Sequence, residues 1–269
     1  MTRMPNLWPR PARRQPPGPL RLANFLHIRV IGVPTSLSST DALRSVLPSS
    51  RSMAPPLLPL AAALLVAGPV FVQAPWVRQA PMAAVLFTAV LLSTGVALER
   101  SDDDNRRGLG ALLVGFAGSW LGGTLFWGWF RLHPLWHLPI EAFALPLALA
   151  GLPGRWRLAG AFYLASLLGT AATDGAIALI GLMPSWVAVL QASPEEAAGL
   201  LKICGDQVMN PLGLSLVTGF AVLLLTLCRS LRGRGQAADV AAATLATTLA
   251  VDGLFLAAAV LAPRLSGLI

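Results

Sequence analysis

The sequence predicts an all-α fold, a polytopic helical membrane bundle, from its composition and from the length of its apolar runs. Hydrophobic residues make up 55% of the 269 residues and charged residues only 12%, and the mean hydropathy is +0.67. Most of such a chain cannot form a soluble domain with a charged surface. From residue 54 onward, apolar runs of roughly 18 to 25 residues recur, the length a helix needs to cross about 30 Å of hydrocarbon.

Seven of these runs are predicted to be transmembrane helices that form one domain over residues 54–262, followed by a short C-terminal tail at 263–269. The fourth run holds three prolines, which remove backbone donors and bend or break helices. It is therefore expected either as a complete span or as a broken or re-entrant segment. The predicted runs are 55–74, 81–98, 109–130, 136–153, 158–182, 207–228 and 237–261.

Residues 1–53 differ from the rest of the chain. They are rich in Pro, Arg and Ser without an apolar period, so we expect a disordered basic tail. Residues 1–52 carry eight arginines and one acid, and thus +7 of the net charge of +8. The basic balance therefore belongs to the tail, and no nucleic-acid partner is expected. The tail is interpreted either as a transit peptide or lipid-binding arm, or as an upstream extension of a chain that starts at Met53.

Loop charges orient the predicted helices, because Lys and Arg accumulate in loops on the inner side. Loops 99–108, 154–157 and 229–236 hold eight such residues, whereas the opposite loops and the C-terminal tail hold four. The N-terminus is therefore expected inside and the C-terminus outside. Seven spans do not divide into two equal inverted halves, which argues against the repeat architecture of many secondary transporters.

Polar side chains interrupt four of the apolar runs. Under the predicted orientation Asp174 and Asp252 lie roughly 12 and 13 Å below the outer ends of their helices, and Glu141 and Asn210 about one turn below theirs. A charged group at mid-depth costs about 2.5–3.5 kcal/mol on insertion scales, so it usually faces a bundle interior or a wet cavity. The sequence therefore predicts a substrate or ion pathway in the outer half of the membrane. Its predicted lining is His137, Glu141, Asp174, Asn210 and Asp252, with Arg131 and His133 in support.

Asp174 and Asp252 have no basic residue within four positions on their own helices. A charge partner must therefore come from another helix, or the carboxyl group must keep its proton. The basic residues on that side of the membrane all lie closer to the surface, so both acids are predicted to be protonated at neutral pH or to face a hydrated cavity. The sequence predicts that asparagine at either position preserves folding and impairs any proton- or cation-coupled activity.

His133, His137 and Glu141 are spaced four apart, which aligns them on one face of a continuous helix. Histidines four apart are a known zinc-binding geometry, so metal ligation by these three residues is one hypothesis. The alternative is that the histidines bond loop carbonyls while Glu141 pairs with Arg131 or with a histidine. No other cofactor is predicted, because no phosphate-binding loop or dinucleotide fingerprint is present.

Two further features concern packing. Glycines at 115, 118, 122 and 123 in the third run let a neighbouring helix approach closely. Residues 183–206 are expected to form a long loop, with one short surface helix at 194–202.

Four groups of residues carry a family resemblance: Phe71–Arg78 (FVQAPWVR); Trp127-Gly-Trp with His137–Ala142 (HLPIEA); Phe162-Tyr163 with Gly169-Thr170 and Thr173-Asp174; and Val251–Phe255 (VDGLF). With these residues the chain resembles an uncharacterised integral-membrane family of cyanobacteria, known only as a domain of unknown function. The resemblance covers roughly residues 54–262. It implies a thylakoid or plasma membrane of a photosynthetic bacterium and a start near Met53. It implies no activity and assigns no catalytic residues.

Three functions are compatible with this pattern. The first is a small transporter or channel-like protein with an acidic outer-half cavity, whose carboxylates couple protons or bind a cation. The second is an assembly or scaffold factor for a photosynthetic membrane complex, with the polar groups as interhelical hydrogen bonds of about 0.6 kcal/mol each. The third is a membrane-embedded enzyme that uses the His/Glu cluster on a lipid-like substrate. In each case the lipid bilayer is a partner.

Overall fold

The computed structural model of the protein describes residues 57–261, and in that range the chain forms helices and no β-strand. The predicted all-α fold class is therefore confirmed. The described residues belong to one compact unit. The tails predicted at 1–53 and 263–269 lie outside the described residues.

Long apolar helices account for most of the described chain. In chain order the α-helices are α1 (Leu57–Gln79), α2 (Pro81–Glu99), α3 (Asp104–Leu125), α4 (His137–Glu141), α5 (Leu145–Gly151), α6 (Arg157–Ile180), α7 (Met183–Gln191), α8 (Pro194–Val208), α9 (Pro211–Leu231) and α10 (Gln236–Leu261). Within 57–261 six helices are long and apolar enough to cross a bilayer, which indicates a multi-pass membrane protein: α1, α2, α3, α6, α9 and α10. They correspond to six of the seven predicted runs, so the number of crossings and the orientation stay predictions.

The fourth predicted run is broken, the form that its prolines allowed. It consists of a 3₁₀ turn (Pro134–Trp136), α4, a second 3₁₀ turn (Ala142–Ala144) and α5. Its contacts with α6 run in opposite chain directions: Glu141 meets Thr170, and Ala148 further along the segment meets Gly160. The broken segment therefore extends along α6 and is antiparallel to it.

The prediction of a long loop at 183–206 is wrong, because α7 and α8 occupy most of these residues. The Ser193 hydroxyl accepts from the Glu196 N–H, and the Glu196 carboxylate accepts from the Ser193 N–H, at 3.4 and 3.0 Å. This reciprocal cap starts α8. The Ser193 N–H also holds the pKa of Glu196 below its ordinary value. The two helices run from the end of α6 to the start of α9.

Helix α3 forms the centre of the bundle, since 61% of its span is buried against 28% or less for the other spans. A Cβ atom built on Gly115 would lie 2.5 Å from the Ala159 carbonyl oxygen, so α3 and α6 touch at their backbones. Many outward side chains of the spans are large and apolar, and Leu64, Leu86 and Leu223 are each more than 60% exposed. The bundle thus presents the kind of surface that contacts lipid.

Candidate functional site

A cavity of about 730 Å³ lies among α1, α3, α6, α7, α8, α10 and the broken segment. Four of the five predicted pathway residues line it: His137, Glu141, Asp174 and Asp252. The other polar side chains of the lining are Gln73, Arg78, Ser119, Ser166, Thr170, Thr173, Ser185, Cys204 and Thr248. Its aromatic side chains are Phe116, Trp120, Trp127, Phe162, Trp186 and Phe255.

His137 lies between two carboxylates. Its Nδ1 atom is 3.1 and 3.0 Å from the two carboxylate oxygens of Asp174 on α6. Its Nε2 atom is 3.3 Å from Oε1 of Glu141, one turn further along α4. The three side chains are only 13–17% exposed. The partner that Asp174 lacks on its own helix therefore comes from the broken segment.

These contacts constrain the protons of the cluster. A ring nitrogen forms a hydrogen bond to a carboxylate oxygen only when a proton lies between them. The contact of Nδ1 with Asp174 is such a bond and needs one proton. Nε2 lies within ion-pairing distance of Glu141, and a proton on Nε2 makes that contact attractive. With a proton on each ring nitrogen, the imidazolium and the two carboxylates carry one net negative charge, and one further proton neutralises the cluster.

Two threonines of α6 connect the cluster to the third acid. The Thr170 hydroxyl donates to Oε2 of Glu141 at 2.9 Å. The Thr173 hydroxyl lies 2.6 Å from Oδ2 of Asp252 and 3.2 Å from the Gly169 carbonyl. A hydroxyl has one proton to donate, and the shorter contact favours Asp252. Helix α6 therefore joins Glu141, Asp174 and Asp252 into one polar region.

Aromatic rings cover the His137 side of the cavity. Phe126 is fully buried at the start of a π-helical turn, Phe126–Phe130, and its ring centroid is 4.2 Å from that of His137. Trp127 stacks on Trp186 of α7 at 5.8 Å. The Trp186 indole N–H donates to the Arg131 carbonyl at 2.9 Å, which ties α7 to the end of this turn. Single π-helical turns are frequent at functional sites.

The remaining predicted site residues lie elsewhere. Asn210 is exposed, and its side chain accepts from the Gly213 N–H at 2.8 Å, so it caps the start of α9. His133 is exposed and precedes the 3₁₀ turn, so it does not share a continuous helix with His137. Arg131 contributes its backbone carbonyl, which accepts from the Trp186 indole, and the residue does not line the cavity. Within residues 57–261 no group of three or more His, Cys, Asp or Glu side chains is arranged to hold a metal ion.

A family described as proteins of unknown function (DUF3120) matches residues 62–260, which include every residue that lines the cavity. The chain belongs to the DUF3120 family. The resemblance to an uncharacterised family is thereby confirmed, whereas a cyanobacterial origin stays a prediction. No curated protein and no solved structure matches the chain.

Sequence reasoning missed several polar residues of the DUF3120 cavity. Ser166, Thr170 and Thr173 form a stripe on α6 at spacings of four and three, and Thr248 precedes Asp252 by four on α10. Such spacings place side chains on one helix face. These residues could have been predicted by a search for Ser and Thr at spacings of three and four on the helices that carry Asp174 and Asp252.

Tyr163 fastens the broken segment of this DUF3120 protein to α6. Its hydroxyl donates to the Glu141 carbonyl and accepts from the Ala144 N–H, and the side chain is only 3% exposed. Both backbone groups lie where the segment departs from α-helical geometry. The hydroxyl thus satisfies polar groups that the break would otherwise leave buried without partners.

We expect Tyr163→Phe to lower the free energy of unfolding in detergent micelles by about 1–3 kcal/mol, because it removes the partner of two buried backbone groups. The matched control is Ser93→Ala, which removes an exposed hydroxyl bonded to a carbonyl of its own helix. That variant should change stability by about 0.5 kcal/mol or less. Equal unfolding curves for the two variants would show that the hydroxyl does not secure the break.

Proposed function

We propose that this DUF3120 protein is a small membrane transporter that couples cargo movement to protons, with His137, Glu141 and Asp174 as the proton-exchanging cluster. The observation that carries the proposal is convergence, because ionisable side chains 37 residues apart in sequence meet inside one cavity of an apolar bundle. Ionisable residues within membrane helices are rare, and they mark ion pathways and proton relays. The proposal places the protein in a plasma or a thylakoid membrane.

The proton count of the cluster supports coupling. With a proton on each ring nitrogen, His137 hydrogen-bonds Asp174 and pairs with Glu141, and the cluster carries one negative charge. A third proton changes that charge, and loss of the proton on Nδ1 removes the hydrogen bond between α4 and α6. A change of protonation therefore alters both the charge of the cavity and the attachment of the broken segment. Proton-coupled carriers need such a link between protonation and helix position.

The cavity supports a role in cargo binding. Its volume of about 730 Å³ falls within the range of roughly 300–1,000 Å³ that is usual for small-molecule sites. It combines extensive aromatic walls with a few polar groups, which is also usual for such sites. A purely structural set of interhelical hydrogen bonds does not need an open volume beside it.

The geometry favours transport over the enzymatic alternative. Both ring nitrogens of His137 face carboxylates. Neither nitrogen then presents a lone pair to a metal ion or a substrate proton. A general base must reach the proton that it abstracts, so His137 would have to leave both of its partners first.

A reconstitution experiment tests the proposal. Wild-type protein in liposomes with a trapped pH dye receives pulses of amino acids, organic amines, organic acids, sugars and metal cations in turn. At least one class should change the internal pH. Asp174→Asn should lower the initial rate at least tenfold, because the amide cannot exchange a proton with His137. A wild type that moves no protons with any class, or an Asp174→Asn variant that keeps the full rate, would contradict the proposal.

Asp206→Asn is the matched control for this experiment. Asp206 is exposed on α8, pairs with Lys202 four residues away, and does not line the cavity. The same substitution there should leave the rate unchanged. An equal loss in both variants would trace the effect to reconstitution and not to the cluster.

A further inference from the structure

We infer that the cavity binds a monovalent organic cation with an apolar body, and that Asp252 is the counter-ion for its charged group. The inference rests on the proposed function in one respect, since it takes the cavity to be the cargo site. It adds the chemical class of the cargo and the residue that selects it.

Asp252 is the acid of the cavity that has no cationic partner among residues 57–261. Among the described residues, the side chain that hydrogen-bonds the Asp252 carboxylate is Thr173, whose hydroxyl lies 2.6 Å from Oδ2. His137 is already shared between the other two acids. A carboxylate in apolar surroundings needs a counter-charge or a proton, and a bound cation supplies the first.

Arg78 is the one Arg or Lys side chain among the described residues that line the cavity, and it is not placed to neutralise Asp252. Helix α1 meets α10 where Phe71 stacks on Phe255 at 6.1 Å, three residues from Asp252. Arg78 is seven residues further along α1, which is about 10 Å at 1.5 Å per residue. It is also exposed, whereas Phe255 and Asp252 are partly buried. Among the described residues, no Arg or Lys side chain of the lining therefore offsets a charge on Asp252.

Aromatic side chains supply the second recognition element. Within the lining, Phe116 packs edge to face on Phe162 at a centroid distance of 6.4 Å and at a tilt against Trp120 at 5.9 Å. Phe255 lies one turn from Asp252 on the same helix. Ring faces attract cations within about 6 Å, and organic ammonium groups are recognised in this way. The same walls bury the apolar part of such a ligand.

An inorganic divalent ion fits this site less well. Calcium takes six to eight oxygen ligands, and magnesium an octahedral set of six. Within 57–261 no three acidic, His or Cys side chains are arranged around one point. One carboxylate, one hydroxyl and several rings match a single positive charge on a bulky apolar molecule.

The test uses benzyltrimethylammonium as the cation and phenylmethanesulfonate as an anion of similar shape, with purified full-length protein in micelles. Quenching of the fluorescence of the tryptophans that line the cavity reports binding. Benzyltrimethylammonium should bind saturably, Asp252→Asn should weaken it at least tenfold, and Asp206→Asn should not change it. The inference fails if the sulfonate binds as tightly as the ammonium, if the ammonium shows no saturation, or if Asp252→Asn keeps wild-type affinity.

A second measurement needs no substitution of Asp252. Cys204 lines the cavity, and the buried Cys228 can be replaced by serine. Cationic methanethiosulfonate reagents should label Cys204 faster than anionic ones, and benzyltrimethylammonium should slow that labelling. Faster labelling by the anionic reagent would overturn the inference. Saturable binding without cargo-driven proton movement would support this inference and refute the proposed transport. Proton movement driven only by non-cationic cargo would support the transport and refute this inference.

Discussion

Replacement of His137 by alanine should lower the free energy of unfolding by about 3–5 kcal/mol, because it leaves two buried carboxylates without their shared partner. Asp174 and Glu141 are 13% and 17% exposed, so water replaces the imidazole poorly. Chemical denaturation in micelles, followed by near-UV circular dichroism, measures the change. His133→Ala is the matched control, since His133 is exposed and should contribute about 0.5 kcal/mol or less.

The triple variant His137→Leu, Glu141→Gln and Asp174→Asn separates charge from packing. Removal of a whole buried ionic set is often neutral for stability, whereas removal of one member is costly. The triple variant should therefore recover at least half of the loss and still move no protons. If His137→Ala is as stable as His133→Ala, the cluster is solvated and its contacts do not hold α4 against α6.

Substitution of Gly115 should have the second large effect. A single added methyl, Gly115→Ala, should cost about 1–3 kcal/mol by overpacking, because the new Cβ would lie 2.5 Å from a backbone oxygen of α6 that cannot rotate away. Gly115→Ile should cost more and displace α6. Since α6 carries Thr170, Thr173 and Asp174, proton movement should fall together with stability.

Gly219→Ala is the control for this prediction. Gly219 is on α9, and a Cβ atom there would meet nothing within 4 Å. The Gly219→Ala variant should be as stable as the wild type or more stable by up to about 1 kcal/mol, because alanine favours a helix over glycine. If Gly115→Ala matched that control, the contact between α3 and α6 would not be the close backbone approach described above.

The sequence predicted the acids of the site better than their surroundings. Asp174 and Asp252 stand out because burial of a lone carboxylate in an apolar membrane helix is costly. That cost is lower when the acids face a shared polar space, so they were expected to lie together. Glu141 and His137 followed from their position near the start of a run. The partners of each acid could not be predicted, because contacts such as Thr173 with Asp252, 79 residues apart, depend on how separate helices pack.

Asn210 shows a local signal that was outweighed. The apolar run predicted a helix from 207, which placed Asn210 inside it. Asn followed by Pro211 is a strong helix-start pattern, since asparagine caps the first turn and proline suits the first helical position. The observed α9 begins at Pro211. The boundary therefore followed capping chemistry and not the extent of the hydrophobic run.

The zinc hypothesis depended on a continuous helix that the chain does not form. His137 and Glu141 keep their spacing of four within α4, but His133 lies before a 3₁₀ turn. The prolines made a broken segment one of two expectations for this run, and they did not predict where its pieces pack. The position of the pieces depends on contacts with α6, where Tyr163 and Thr170 hydrogen-bond the segment.

The order of residues in the cluster has a consequence for biosynthesis. His137 and Glu141 emerge from the ribosome within four residues of each other, whereas Asp174 follows His137 by 37 residues. At about 5–20 residues per second, that delay is about 2–7 s. During this interval the newly inserted segment has Glu141 as the nearby counter-charge for His137. The pair within α4 thus forms first, and arrival of α6 completes the cluster and secures the segment in the bundle.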